Sequence, residues 1–167
     1  MRGKVLVLFA TKYGATAEIA EKIAEVLQAG GAQTDVMDVK RVKSIAEYSV
    51  VVLGSASYIG SWRREMTRFV EKNVVELSQK MIWVFTSGPT GTGDPQELMK
   101  GILYPPKLKA AMDTIKPADI TVFHGAINPG KLSGLEKWII GKVGASIGDY
   151  RNWDMITAWA KSILAKL

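Results

Sequence analysis

Apolar runs rich in β-branched residues alternate with amphipathic segments along this sequence, and that alternation constrains its fold most. Residues 4–9 (KVLVLF) and 81–85 (MIWVF) are apolar at nearly every position, as in strands covered on both faces of a parallel sheet. Between such runs, apolar residues recur at helical spacing, as at Ile19, Ile23 and Leu27. The pattern predicts an α/β fold in which helices cover both faces of a doubly wound parallel sheet.

The apolar runs predict five strands, and the segments with helical spacing predict four helices. The strands are predicted at 4–9, 32–39, 50–53, 81–85 and 120–123. The helices are predicted over 16–29, 66–77, 108–115 and 156–167. The glycine- and threonine-rich stretch 86–95 is predicted to lack regular structure. Because no linker or repeat divides the chain, residues 1–167 are expected to form one domain.

Composition excludes several kinds of chemistry. The chain has no cysteine and a single histidine, which excludes thiol nucleophiles and thiolate-ligated metals, and no metal site is predicted. Redox chemistry would therefore need a non-covalent cofactor. The net charge of +6 suits an anionic cofactor, an acidic partner or an anionic membrane surface. No nucleic-acid module accompanies the basic clusters, so no nucleic-acid partner is predicted.

Apolar stretches in the sequence are short. The first run ends after Ala10, too early for the hydrophobic region of a signal peptide. No stretch approaches the roughly 20 apolar residues of a spanning helix. A cytoplasmic location is therefore expected, with peripheral contact to the inner face of the membrane as an alternative.

The loop at 11–16 (TKYGAT) joins the first strand to the first helix. Thr11, Tyr13 and Thr16 offer hydroxyls, and the helix N-terminus offers backbone N–H groups to one phosphate. Gly14 permits the tight turn. The loop matches neither the P-loop nor the dinucleotide motif, so a monophosphate such as FMN fits better than ATP or NAD. The alternative is an ordinary connection in which Thr16 caps the helix.

The segments 10–16, 54–55 and 86–88, each after a predicted strand, resemble the flavodoxin family over nearly the whole chain. The resemblance implies FMN as cofactor and a flavodoxin-like five-stranded sheet in the order 2-1-3-4-5. By the same resemblance, FMN would bind three loops, whose predicted cofactor-binding residues are Thr11, Lys12, Tyr13, Gly14, Ala15, Thr16, Ala56, Ser57, Tyr58, Ile59, Gly60, Thr86, Ser87, Gly88, Thr90 and Gly91.

The sequence departs from the family pattern in two loops. Tyr13 stands where the family usually has Thr, and Ala15 stands where Asn is frequent. The third loop has no aromatic residue, which would leave one flavin face open and favours an enzyme over a one-electron carrier. Tyr58 or Trp62 could stack on the flavin, or Trp62 could pack on the sheet.

A narrower resemblance concerns the C-terminal part. The strand end at 123–126 (FHGA), the segment 135–144 and the helix start at 150–153 (YRNW) are similar to the menaquinone-dependent protoporphyrinogen dehydrogenases. This implies an FMN-dependent oxidoreductase that passes electrons from an organic substrate to a quinone or another acceptor. A flavodoxin-type carrier between protein partners is the alternative, and binding of another phosphorylated ligand is a third.

Residues 128–148 form an insertion with an apolar stripe beside basic residues. Three interpretations stay open: contact with an anionic membrane, packing on the sheet, or contact with a second subunit in a homo-oligomer. The stripe comprises Leu132, Leu135, Trp138, Ile139 and Val143, flanked by Lys131, Lys137 and Lys142. His124, at the end of the fifth strand, is a weak candidate for proton transfer, with a structural role as the alternative; no other catalytic residue is identified.

Overall fold

A computed structural model describes residues 3–167, in which five parallel strands form the predicted sheet. They are β1 (Val5–Ala10), β2 (Thr34–Asp38), β3 (Val50–Tyr58), β5 (Met81–Ser87) and β6 (Asp119–Phe123). The short strand β4 (Ser61–Trp62) pairs with the end of β3. The order β2-β1-β3-β5-β6 is the predicted 2-1-3-4-5 once β4 is set aside. The fold class is therefore confirmed.

Helices cover both faces of the sheet. Their bounds are α1 (Ala15–Ala29), α2 (Arg64–Lys72), α3 (Val74–Leu77), α4 (Pro95–Leu98), α5 (Lys109–Ile115), α6 (Gly134–Val143) and α7 (Trp153–Leu164). Helices α1 and α7 pack on one face, against Val5 and Val7 of β1. The alternate residues Leu6 and Leu8 face the other side, against Met66 of α2. Burial on both faces explains why the first run is apolar throughout. Within residues 3–167, no helix is both long and apolar enough to cross a bilayer.

Strand β3 is more than twice as long as predicted. Residues 54–56 have the small side chains of a loop, yet they continue the parallel pairing with Phe85, Thr86 and Ser87 of β5. A Cβ atom on Gly54 would lie 2.0 Å from the ring of Phe85, so glycine makes room for that ring. The chain then turns at Ile59 and Gly60, both with positive φ. This tight hairpin replaces most of the predicted loop.

Two other expectations are corrected. Residues 86–95 are not wholly irregular, since Thr86 and Ser87 end β5 and Pro95 begins α4. The predicted helix over 66–77 is two helices separated at Asn73. The Asn73 side chain donates a 2.7 Å hydrogen bond to the carbonyl of Phe69, and this competition with the backbone ladder accompanies the break.

The predicted insertion leaves the edge of the sheet and returns to it, and the two strands that flank it pair with each other. Its ends pair as the antiparallel strands β7 (Ala126–Ile127) and β8 (Gly148–Asp149). A 3₁₀ turn, Pro129–Lys131, and α6 lie between them. Ser133 and Glu136 form a reciprocal capping box at the start of α6, which fixes where the helix begins. The insertion is thus an ordered segment of defined structure.

Candidate functional site

The three predicted loops meet in a cleft at the carboxyl ends of β1, β3 and β5, as expected for an open α/β sheet. The predicted residues that line it are Thr11, Lys12, Tyr13, Ala15, Thr16, Ala56, Ser57, Tyr58, Ile59, Ser87 and Gly88. The predicted residues outside this lining are Gly14, Gly60, Thr86, Thr90 and Gly91. The structure thus brings residues of all three loops together around one space.

The first loop ends in a helix terminus suited to an anion. Gly14 occupies the N-cap position of α1 with φ 97°, and within the described chain no side chain caps this helix. Thr16 is buried inside the first turn, so it is not the cap that the alternative interpretation required. Thr11 Oγ1 accepts a 3.0 Å hydrogen bond from the Gly14 N–H and shapes the turn. The first-turn N–H groups of α1 can therefore serve a phosphate.

Two tyrosines form the rim between the first and second loops. The rings of Tyr13 and Tyr58 are 6.3 Å apart, and the ammonium of Lys12 lies 5.0 Å and 5.4 Å from their centroids. Burial raises the pKa of Tyr13 to about 12, so its phenol keeps its proton at neutral pH. The rim therefore offers aromatic faces and a neutral hydroxyl to a ligand.

Trp62 does not line the cleft. It is 6% exposed, and its indole N–H donates a 2.8 Å hydrogen bond to Thr86 Oγ1. The Thr86 hydroxyl donates in turn to the carbonyl of Leu103 at 2.6 Å. Trp62 thus packs on the sheet, the alternative to stacking on a ligand. Thr86 is directed into the same network, where it joins the second and third loops.

The third loop packs closely against its neighbours. A Cβ atom on Gly88 would lie 2.9 Å from the side chain of Ser57, and one on Gly125 would lie 3.2 Å from the carbonyl of Gly88. The hydroxyl of Thr90 is buried and has no hydrogen-bond partner among residues 3–167. Such an orphaned polar atom calls for a ligand or a water.

The imidazole ring of His124 contacts two backbone carbonyls of this third loop. Its Nδ1 lies 3.1 Å from the carbonyl oxygen of Pro89, and its Nε2 lies 2.8 Å from that of Gly93. Whichever nitrogen carries the hydrogen, it donates to a loop carbonyl. The ring is buried and does not line the cleft. This geometry favours the structural role over proton transfer.

The insertion covers the cleft, which the sequence did not predict. Its residues Leu132, Ile139, Ile140, Val143 and Ala145 complete the lining. The missing aromatic residue in the third loop therefore does not leave the cleft open on that side. The helical stripe was visible in the sequence, but the inward direction of Ile140 was not.

Charged contacts join the insertion to the first loop. Lys131 donates a 2.9 Å hydrogen bond to the carbonyl of Tyr13, and Glu136 forms an ion pair with Lys12. The Lys12 ammonium, with further hydrogen bonds from Tyr13 and the Ser133 backbone, lowers the pKa of Glu136 to about 2. Glu136 is therefore a carboxylate at neutral pH.

These features fit FMN. The start of α1, which no side chain caps within the described chain, suits the phosphate, and Gly88, which lacks room for a side chain beside Ser57, lines the cleft together with it. Apolar residues of the insertion and the tyrosine rim provide surfaces for a flat ring system.

Comparisons with known proteins agree with this assignment. The sequence profile of the flavodoxin domain family matches residues 6–152. A flavodoxin from the domain Archaea has the same fold, with a TM-score of 0.66 at 14% identity over 98% of this chain and 97% of that one. Oxidised flavodoxin 1 from Bacillus cereus gives a TM-score of 0.63 at 16% identity over 99% of both chains.

Among curated proteins, the chain is similar to protoporphyrinogen IX dehydrogenase [quinone] of Escherichia coli (strain K12). The two are 35% identical over 77 residues, which are 45% of this chain and 42% of that protein. The matched segment thus spans less than half of either protein. With the profile match over most of its length, the chain belongs to the flavodoxin domain family and is a redox protein that binds FMN.

Proposed function

We propose that this protein is an oxidoreductase that removes electrons from a porphyrinogen-class substrate and delivers them to a quinone. The observation that carries the proposal is the insertion, whose apolar residues lie over the cofactor cleft. The partial similarity to a protoporphyrinogen dehydrogenase supports it. FMN, when bound, would supply the redox chemistry: conversion of a porphyrinogen into a porphyrin releases six electrons and six protons, so three successive two-electron transfers would each reduce one quinone to a quinol.

The residues around the cleft suit such a substrate. Ile139 and Val143 offer apolar contact on the insertion side, as a tetrapyrrole ring system requires. Lys131, which forms no ion pair within residues 3–167, lies beside the first loop, where its charge can attract the acidic side groups of a porphyrinogen. The chain's own residues thus bind and orient the substrate against the cofactor.

The proposal is tested with the FMN-loaded protein under anaerobic conditions. Protoporphyrinogen and a water-soluble naphthoquinone are added, and porphyrin fluorescence is followed. We expect porphyrin to form only when both protein and quinone are present, and an Ile139→Glu variant that retains FMN to form it more slowly. Porphyrin formation no faster than in free FMN would contradict the proposal.

A carrier function is the second candidate, and the fold neighbours named above favour it because they are flavodoxins. A carrier would exchange electrons with a protein partner and leave the porphyrinogen unoxidised. The same experiment separates the two candidates when a reduced ferredoxin-type protein is offered as donor. Rapid reduction of the bound flavin without porphyrin formation would favour the carrier.

We further propose that the outer side of the insertion contacts an anionic membrane, where a lipid-soluble quinone would be found. Leu135 is 67% and Trp138 59% exposed, and the ammonium of Lys142 lies 4.6 Å from the Trp138 ring. Basic residues beside exposed apolar ones suit an anionic lipid surface. The exposed apolar side chains would enter the membrane interface, while the lysines would contact the anionic lipid headgroups.

Sedimentation with anionic vesicles tests this contact. Trp138→Glu should abolish binding, whereas Val75→Glu should not. Val75 is 72% exposed on α3, just before β5 begins and so at the opposite end of the sheet from the cleft. The two variants change the net charge equally. Equal binding by both variants would contradict the proposal, and concentration-dependent dimerisation lost in Trp138→Glu would assign this surface to a second subunit instead.

A further inference from the structure

The inner side of the insertion and the phosphate loop enclose the cofactor cleft together. Leu132 and Ile140 of the insertion are buried, and they line the same space as Thr16 of the first loop and Ser57 of the second. FMN bound along these loops would therefore lie beneath the insertion. Its path to solvent on that side is closed by residues that a bare sheet edge would not have.

Two polar contacts fasten the insertion in this position. The ammonium of Lys131 reaches the carbonyl of Tyr13 at 2.9 Å, close to the turn at Gly14, where it would lie 3.9 Å from an added Cβ atom. Glu136 pairs with Lys12. The second oxygen of Glu136 accepts the Ser133 N–H at 2.9 Å. The carboxylate that meets Lys12 is thus oriented by the capping box of its own helix.

The C-terminal end of the insertion contains two glycines with the positive φ angles of a possible hinge. The pairing of β7 with β8 anchors both ends on the sheet edge. Gly144 ends α6 with φ 69°, and Gly148 begins β8 with φ 133°, conformations in which glycine is far less restricted than other residues. Short segments with such residues can absorb the backbone rotation of a hinge.

We propose that residues 128–148 form a cover that retains FMN, and that Lys131 and Glu136 are positioning residues that fasten it to the phosphate loop. FMN then enters and leaves only when these two contacts open. The proposal rests on FMN binding alone and not on the substrate class. The cover proposal can therefore fail while the oxidoreductase proposal stands, and the oxidoreductase proposal can fail while the cover proposal stands.

Release kinetics provide the first test. FMN-loaded protein is diluted into excess competing apoflavodoxin, and the rate of FMN transfer is measured. Lys131→Met and Glu136→Gln should each speed release about two- to fivefold, the range expected when one exposed contact made by a charged side chain is lost. The matched control is Lys137→Met, which removes the same charge from an exposed position on α6. Unchanged release in both test variants, or equal acceleration in Lys137→Met, would overturn the proposal.

A cross-link provides the second test. It holds the insertion against the first loop, whereas the first test weakens that contact. Since the chain has no cysteine, Lys12→Cys with Glu136→Cys can be joined specifically by a short bis-maleimide. Joined after FMN loading, the protein should release FMN at least tenfold more slowly than the same variant left unjoined. Joined before loading, it should take FMN up correspondingly slowly. Exchange at the unjoined rate in both cases would show that the insertion does not have to lift.

Discussion

Thr86 holds two neighbouring segments together through its buried hydroxyl. Its hydroxyl accepts from the indole N–H of Trp62 at 2.8 Å and donates to the carbonyl of Leu103 at 2.6 Å. The side chain is 1% exposed, so water cannot readily replace it. Thr86→Val keeps the shape of the side chain and removes both hydrogen bonds.

The loss of stability in Thr86→Val comes from the two groups that lose their partner, the indole N–H of Trp62 and the carbonyl of Leu103. A buried donor without an acceptor costs about 1–3 kcal/mol, and a half-buried carbonyl that regains some water costs less. We therefore expect Thr86→Val to lower the free energy of unfolding by about 2–3 kcal/mol. For a chain of this length, that corresponds to a fall in Tm of roughly 5–10 °C.

Urea unfolding of the apoprotein measures this effect without the contribution of FMN. Trp62→Phe in the Thr86→Val background removes the orphaned N–H, so the double variant should be less destabilised than the sum of the single ones by about 1 kcal/mol or more. Thr114→Val, which removes an exposed intrahelical hydrogen bond, is the control and should cost at most about 0.5 kcal/mol. A Thr86→Val variant as stable as this control, or strict additivity, would refute the reasoning.

Three further predictions concern other features of the cleft. Gly54→Ala places a methyl group against the ring of Phe85 and should destabilise the protein by about 1–3 kcal/mol in urea unfolding. Ile59 has φ 49° and is 72% exposed, so Ile59→Asn should stabilise the hairpin by about 1 kcal/mol; a loss of stability would contradict the strain. Glu136 has its pKa lowered from an ordinary 4.5 to about 2, so its stabilising contribution is complete above pH 4.5 and disappears as the pH falls towards 2. The stability difference between wild type and Glu136→Gln should shrink over that window, and a constant difference would contradict the ion pair.

The strands could be predicted because the evidence for them is local, whereas their order followed from the resemblance to the flavodoxin family. A strand covered on both faces is apolar at nearly every position, and β1 and residues 81–85 of β5 show this directly in their sequences. The end of β3 could not be predicted in the same way. Residues 54–56 look like a loop and become strand only because they pair with β5, a contact between residues about 30 positions apart.

The cofactor loops could be identified, while the direction of their side chains could not. Thr86 is among the predicted cofactor-binding residues and His124 is the weak candidate for proton transfer, yet their hydrogen bonds reach residues 17 to 35 positions away. For the insertion, the apolar stripe could be predicted, but the surface that each of its residues meets could not. The predicted stripe is a single apolar surface, but in the structure Trp138 is exposed while Ile139 of the same stripe lines the cleft. Which side of an amphipathic helix is buried depends on the surface that it meets.

The central claim is that the start of α1 binds the FMN phosphate, and a comparison of ligands tests it most directly. The apoprotein is titrated with FMN and with riboflavin, which lacks the phosphate, in wild type and in Gly14→Val. Because charged hydrogen bonds contribute about 1.5–3 kcal/mol each, wild type should bind FMN at least about a hundredfold more tightly than riboflavin. Valine is strained at φ 97°, so this variant should lose most of the difference while its riboflavin Kd stays nearly unchanged. Equal Kd values for FMN and riboflavin in wild type would contradict the account.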